Sequence, residues 1–337
     1  MILGLFCGIL LGFVMQRGRF CITGAFRDMY LTKSSKMFVA FLIVICVQTV
    51  GLLSLQEMRI LAPKVKNFAW LATLIGAFIF GVGIVLAGGC SAGSLYRAGE
   101  GLIGSWIAFV VYAIFSALFR VGPLKEVTNS LRGIQVEQTT LYGSLGLSPW
   151  VLAGILVLVT SYLVYRFNQK SGKPISLPAK KTGLAHLLFE KRWHPFITAL
   201  LIGLIAILAW VTSVQTGRNG GLGVTGPSVQ ALQYITTGES KFVNWGTLLI
   251  LGIFIGGFIA AKFSNEFRLR VPTAKDAINS VYGGALMGVG ASLAGGCSIG
   301  NGLVETSLFS WQGWVALPLM ILGTWVTAYF LFIRSTN

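Results

Sequence analysis

Apolar stretches of about 17 to 20 residues recur along the whole chain, each long enough to cross a bilayer as a helix. Nine can be read, at 2–16, 37–56, 68–87, 102–119, 149–165, 196–213, 244–261, 280–294 and 313–333. The first and eighth are the shortest. Hydrocarbon offers backbone amides no partner, so spanning segments must satisfy themselves as helices or closed barrels. Runs of this length predict helices. The 337 residues are 55% hydrophobic and only 11% charged, and mean hydropathy is +0.78. The fold class expected is therefore an all-α polytopic membrane protein, not a soluble domain. No cleavable leader is expected, because Met1 runs straight into apolar sequence and Arg17 follows it.

A net charge of +16 could suggest nucleic acid, so the placement of the 26 basic residues decides the matter. Most lie between the apolar runs. Counting crossings puts Arg17, Arg19, Arg27, Lys33, Lys36, Arg97, the seven within 166–192, Lys262, Arg268, Arg270, Lys275 and Arg334 on one side. The other side receives Arg59, Lys64, Lys66, Arg120, Lys125, Arg132, Arg218 and Lys241. Basic residues favour the cytoplasm, so the N-terminus is expected outside and the C-terminus inside. Nucleic acid is not expected as a partner; membrane lipid is.

One phrase occurs twice, as Leu86-Ala-Gly-Gly-Cys90-Ser-Ala-Gly93 and as Leu293-Ala-Gly-Gly-Cys297-Ser-Ile-Gly300. The offset of 207 also superimposes Gly76 on Gly283, Gly81 on Gly288 and Gly83 on Gly290. A weaker correspondence, resting on a shared Thr-Gly, sets Cys21 opposite Gly223. The chain then divides into a first repeat, 1–119, a connecting segment, 120–195, and a second repeat, 196–337. The connecting segment holds one extra helix and a basic linker. Four helices plus one is odd, so the second repeat enters from the opposite face and the repeats are inverted. Gly4, Gly8 and Gly12, and Gly252 and Gly256, recur every four residues and predict close helix packing.

Each Gly-Gly-Cys-Ser phrase interrupts an apolar helix, which is tolerated only where protein encloses the break or a cavity adjoins it. Repeat-related interruptions of this kind mark binding sites in membrane transport proteins. A short half-helix starting there would direct free N–H groups at an anion. Gly89 and Gly296 remove side chains just before the thiols of Cys90 and Cys297, and Ser91 and Ser298 add hydroxyls. Cys21, with Thr23 and Gly24, sits in a third Gly-rich stretch flanked by Arg19. Such groups suit a compact anion of sulfur or selenium character. Arg27 and Asp28 could pair locally, Arg97 and Glu100 could brace the first break, and Asn301 could cap the second. Cys7 and Cys46 lie within apolar helices, where a small thiol packs like alanine. His186 and His194 belong to the basic linker or its mouth. No metal-ligand spacing, phosphate-binding loop or Ser-His-Asp pattern is present, so no metal, cofactor or enzymatic activity is expected.

Gly18-Arg-Phe-Cys21-Ile-Thr-Gly-Ala-Phe-Arg-Asp28, Gly88-Gly-Cys-Ser91 and Gly295-Gly-Cys-Ser-Ile-Gly-Asn-Gly302 together resemble the YeeE/YedE sulfur-transport family. Within it, the YeeE-type thiosulfate transporters are the most similar, helped by Glu190-Lys-Arg-Trp-His-Pro195 and Asn244-Trp-Gly246. Cys21, Cys90 and Cys297 match the family's three motif cysteines, and the resemblance spans nearly the whole chain. It implies an hourglass-shaped helical protein of the bacterial inner membrane that takes up thiosulfate past the three cysteines. It also implies a small cytoplasmic sulfur-carrier (TusA-like) protein as partner. Two alternatives stay open: transport of another sulfur or selenium species, and a membrane sulfurtransferase that forms cysteine persulfides.

Overall fold

The structure is a computed structural model that describes residues 1–65, 67–170, 183, 186–191 and 193–334. Much of the basic linker, with Lys173, Lys180, Lys181 and Arg192, lies outside the described residues, as does Lys66. The fold is all-helical, with no β-strand among the described residues. In chain order the α-helices are α1 (Ile2–Arg17), α2 (Ile22–Leu31), α3 (Lys36–Glu57), α4 (Trp70–Leu86), α5 (Ser91–Gly99), α6 (Ile103–Arg120) and α7 (Lys125–Gly133). There follow α8 (Leu141–Leu145), α9 (Pro149–Lys170), α10 (Pro195–Val214), α11 (Thr225–Thr237), α12 (Trp245–Phe263), α13 (Ala274–Leu293) and α14 (Trp311–Ala328).

Among the described residues, eight helical segments are long and apolar enough to cross a membrane. The ninth apolar run, 280–294, is the second part of α13, whose 20 residues start at a Thr273 cap accepting the Asp276 N–H. Lys275, Asp276, Asn279 and four glycines dilute its hydropathy, so by composition alone it falls outside those eight. It nevertheless packs centrally, against both α4 and α6. The polar loop 120–148 is more ordered than its composition suggests, since it forms α7 and α8. The broken stretch 217–238 contains the 13-residue α11, ended by Gly238 in the left-handed conformation.

Helix packing repeats itself across the 207-residue offset. Helix α1 packs on α12, and its counterpart α10 packs on α3. Likewise α13 lies on α6 while α14 lies on α4. At the crossing of α4 and α13 the match extends to single residues. A Cβ on Gly76 would stand 2.7 Å from the Gly290 oxygen, and one on Gly283 would stand 2.8 Å from the Gly83 oxygen. Exchanging each glycine for its counterpart turns the first contact into the second. That is the behaviour of a two-fold crossing. Between lipid-bathed helices apolar area supplies no net drive, so backbone approach through small residues holds such pairs together.

The loops gather into two groups. On one face the Arg268 N–H reaches the Glu100 oxygen, the Ile103 N–H reaches Arg270, and Arg17 donates to the Lys191 oxygen. On the opposite face Phe68 bridges Val136, Thr140 bridges Ser310, and Asn219 donates to the Ala62 oxygen. Among the described residues no contact of this kind mixes the two groups.

Candidate functional site

Three helix starts carry the three motif thiols. Cys21 stands in extended backbone at the N-cap of α2, where its Sγ accepts the Gly24 N–H at 3.4 Å. Cys90 is the N-cap of α5, and its carbonyl accepts the Ser94 N–H at 2.7 Å while its side chain makes no capping bond. The Cys297 carbonyl accepts the Asn301 N–H at 2.8 Å, leading into a π-helical turn at Gly300–Glu305. The second break thus opens into a wide turn and not the expected α-helical start. Ahead of the two breaks, Gly88 (φ 67°) and Gly295 (φ 78°) are left-handed, a conformation that glycine takes without a Cβ penalty.

The thiols converge. Cys90 is fully buried and interacts electrostatically with both Cys21 and Cys297, and it approaches the Ser298 hydroxyl. Around them the Thr23, Ser91 and Ser298 hydroxyls are buried, and among the described residues none completes a hydrogen bond of good geometry, although Ser298 approaches the Cys90 thiol and Ser91 the Tyr112 hydroxyl. Leaving such a group unpaired costs about 1–3 kcal/mol. Three of them beside one group of thiols mark a place built to receive polar atoms. Tyr112, also buried, donates its hydroxyl to Thr225 Oγ1 at 2.8 Å and faces Cys297. Cys7 lies apart, against the Thr212 hydroxyl at 3.7 Å, and Cys46 is half-buried in a groove beside α9.

The carbonyls released by each break are gripped by side chains, so the breaks carry defined geometry. Arg97 Nη1 donates to the Gly88 oxygen. At the second break Arg120 donates to the Gly295 oxygen (3.2 Å) and Arg132 to the Leu293 oxygen (3.0 Å). Asn301 Nδ2 bridges the Ala294 and Gly296 oxygens at 2.9 and 3.0 Å, and its Oδ1 accepts from Gln312 at 2.8 Å. Burial, and then the neighbouring Arg120, pull the Arg132 pKa down, against the opposite pull of Glu305. Gly89 faces Arg97 and Ser94, and Gly296 faces Asn301.

Arg19 is the site candidate whose surroundings differ most from a free anion-binding cation. Held at φ 48°, it spends one nitrogen on both Glu100 oxygens (2.8 and 3.0 Å) and another on Glu266 (2.6 Å). Gln16 adds a donor to the same Glu266 oxygen at 2.7 Å. The network ties the end of α1 to the end of α5 and to the loop after α12. Arg19→Ala would leave the Glu100 carboxylate, 4% exposed, without its salt-bridge partner. The expected cost is about 1–3 kcal/mol, below that of a fully buried pair, because the Arg19 side chain is 39% exposed. A lower melting temperature of the detergent-solubilised protein, with uptake measured separately, checks this. Arg27 pairs with Asp28 at 2.9 Å, His186 with Glu190, and His194 caps α10 by accepting the Phe196 N–H.

In the sequence Arg120 and Arg132 read as loop cations, and Tyr112 as one residue of an apolar run. The available signals were a tyrosine inside an apolar run and an arginine at its end. Among the described residues no group of three His, Cys, Asp or Glu side chains could hold a metal ion.

The family described as Sulphur transport matches residues 17–326. The thiosulfate transporter TsuA of Escherichia coli K12 is 52% identical over 98% of this chain and 94% of its own length. The protein of the same name from Spirochaeta thermophila is 33% identical over 98% of this chain and 99% of its own. The probable transporter YedE of E. coli K12 is 38% identical over 31% of this chain and 25% of its own length.

Proposed function

The chain belongs to the sulphur-transport family, and on that premise we propose that it carries thiosulfate inward across the bacterial inner membrane. The anion passes Cys297, Cys90 and Cys21 in turn. The observation that carries this reading is the gathering of three thiols beside the buried hydroxyls of Thr23, Ser91 and Ser298. Two full-length relatives bear the name of thiosulfate transporter, which supports the substrate and argues for transport over enzymatic sulfur transfer.

The chemistry of the ion matches the groups. Thiosulfate has charged oxygens for N–H and O–H donors, and a terminal sulfur that accepts from a thiol S–H. A neutral thiol adds no negative charge to repel a dianion, and its hydrogen bond is weak. Weakness serves conduction, because a station must bind well enough to be entered and loosely enough to be left. The α5 N-terminus at Ser91 adds a positive dipole end beside Cys90. Gly89, Gly24 and Gly296 keep the thiols' approaches free of side chains, while Arg19 acts through its ion pairs.

Two inverted repeats, 1–119 and 196–337, joined by 120–195, account for the exchange symmetry of the glycine contacts and for the two loop groups. With the more basic group in the cytoplasm, the N-terminus lies outside and the C-terminus inside. Cys21 then faces the cytoplasm, where a small sulfur-carrier (TusA-like) protein is the fitting acceptor for the delivered ion.

The test is uptake of radiolabelled thiosulfate by vesicles containing the purified protein, against protein-free vesicles. Saturable uptake is the expected result, and its absence overturns the function. Mass spectrometry of the protein after turnover separates relay from sulfur transfer. The relay leaves all three thiols unmodified, whereas a retained sulfur atom on any of them makes the protein a sulfurtransferase.

A further inference from the structure

The Thr-Gly correspondence sets Gly223 opposite Cys21, so the second half has no thiol where the first half has one. The space beside Gly223 is filled by another group. A Cβ on Gly223 would stand 3.4 Å from Arg218 Nη2. The Arg218 guanidinium lies over the buried Trp245 ring, 5.2 Å from its centroid, and its Nη1 is buried with no hydrogen-bond partner among the described residues. Three residues on, a Cβ on Gly226 would stand 3.5 Å from Arg120 Nη1. Two guanidiniums therefore flank the first turn of α11. Among the described residues neither forms an ion pair with a carboxylate. At the other end of the molecule the cation beside the thiol, Arg19, is matched by Glu100 and Glu266.

A shielded cation with a spare N–H and no counter-charge is costly to hold. Stacking on an aromatic face offsets only part of that cost. The remainder is recovered when an anion arrives, and a guanidinium fork suits two oxygens of an oxyanion. We propose that Arg218, with Arg120 beside it, is the receiving site for the substrate's dianionic oxygens, occupying the position where the other half carries a thiol. This rests on the thiosulfate reading and on its outward placement of this face. Recognition is then divided between two places. Charge and oxygen geometry are read at Arg218, and the terminal sulfur is read afterwards at the thiols. Sulfate has the charge and the oxygens but no terminal sulfur, so it occupies the first place without being passed to the second.

Initial uptake of labelled thiosulfate is measured in intact cells expressing the wild type, Arg218→Gln or Arg218→Lys, with and without external sulfate. Rates are normalised to folded protein from detergent gel filtration. Wild-type uptake is expected to be competitively inhibited by sulfate. Arg218→Gln is expected to raise KM about tenfold or more, the loss of one charge-assisted contact, with the maximal rate within about twofold. The same variant is expected to lose the inhibition by sulfate. Arg218→Lys keeps the charge but not the fork, and should raise KM about threefold or more while sulfate still inhibits. If Arg218→Gln does not fold, the lysine variant alone decides. A wild-type KM in whichever variants fold, or a fall in maximal rate at unchanged KM, overturns the assignment while leaving transport intact. A wild type that takes up no thiosulfate overturns the functional reading instead.

Discussion

Cys90→Ala is expected to lower thiosulfate uptake at least about tenfold, equivalent to ~1.4 kcal/mol on the limiting barrier, with the protein still folded. Cys90 is the thiol within electrostatic reach of both of the others, so in the proposed relay its loss breaks the path between Cys297 and Cys21. Its side chain makes no capping bond, so α5 keeps its start without the sulfur. Replacing one small buried side chain by another removes little apolar surface, which keeps the stability cost low. Cys7→Ala is the matched control: that thiol touches Thr212, away from the site, and uptake should stay near wild type. Initial rates in vesicles, normalised to monodisperse protein, provide the measurement. Wild-type uptake by the Cys90 variant would remove the relay and leave the three thiols as packing.

Gly8→Val is expected to have the largest effect on folding. A Cβ at residue 8 would lie 2.8 Å from Gly252 Cα, 3.0 Å from the Ile253 nitrogen, and inside the contact distance of the Leu249 oxygen. All three are backbone atoms that no rotamer change can move aside. The α1 and α12 helices must therefore separate, and overpacking of this kind costs about 1–3 kcal/mol or more. Contacts along the same seam, at Gly4, Gly12 and Gly256, would loosen with it. Since α1 also carries Gln16 and Arg17 and leads into Cys21, the damage reaches the site. Gly154→Val on α9, where nothing lies within 4 Å, is the control and should behave as wild type. Detergent gel filtration is expected to show the Gly8 variant mostly aggregated and the Gly154 variant monodisperse. A monodisperse Gly8→Val protein with an unchanged melting temperature would contradict the close crossing.

What the sequence determined by itself was the class of fold and the chemical identity of the candidate site. Length and hydropathy are additive along a helix, so all nine runs can be read from residue counts, and eight of them are helices long and apolar enough to span. The Gly-Gly-Cys-Ser duplication was legible for a similar reason: a left-handed turn at Gly88 or Gly295 is a local requirement, and its signature is contiguous. The exception, α13, shows the limit. Its polar first turns and glycines look marginal as a span, and only its place between α4 and α6 makes them suitable. The partners of the charges were decided by tertiary structure. Arg19 reads as a cation beside a thiol, yet Glu100 and Glu266 approach it from distant segments and neutralise it. Arg120, Arg132 and Arg218 read as loop charges, yet folding aims the first two at the second break and lays the third over Trp245 beside Gly223. Electrostatic character depends on separation in space and on local solvation. Neither can be recovered from spacing along a chain whose two halves meet through their backbones.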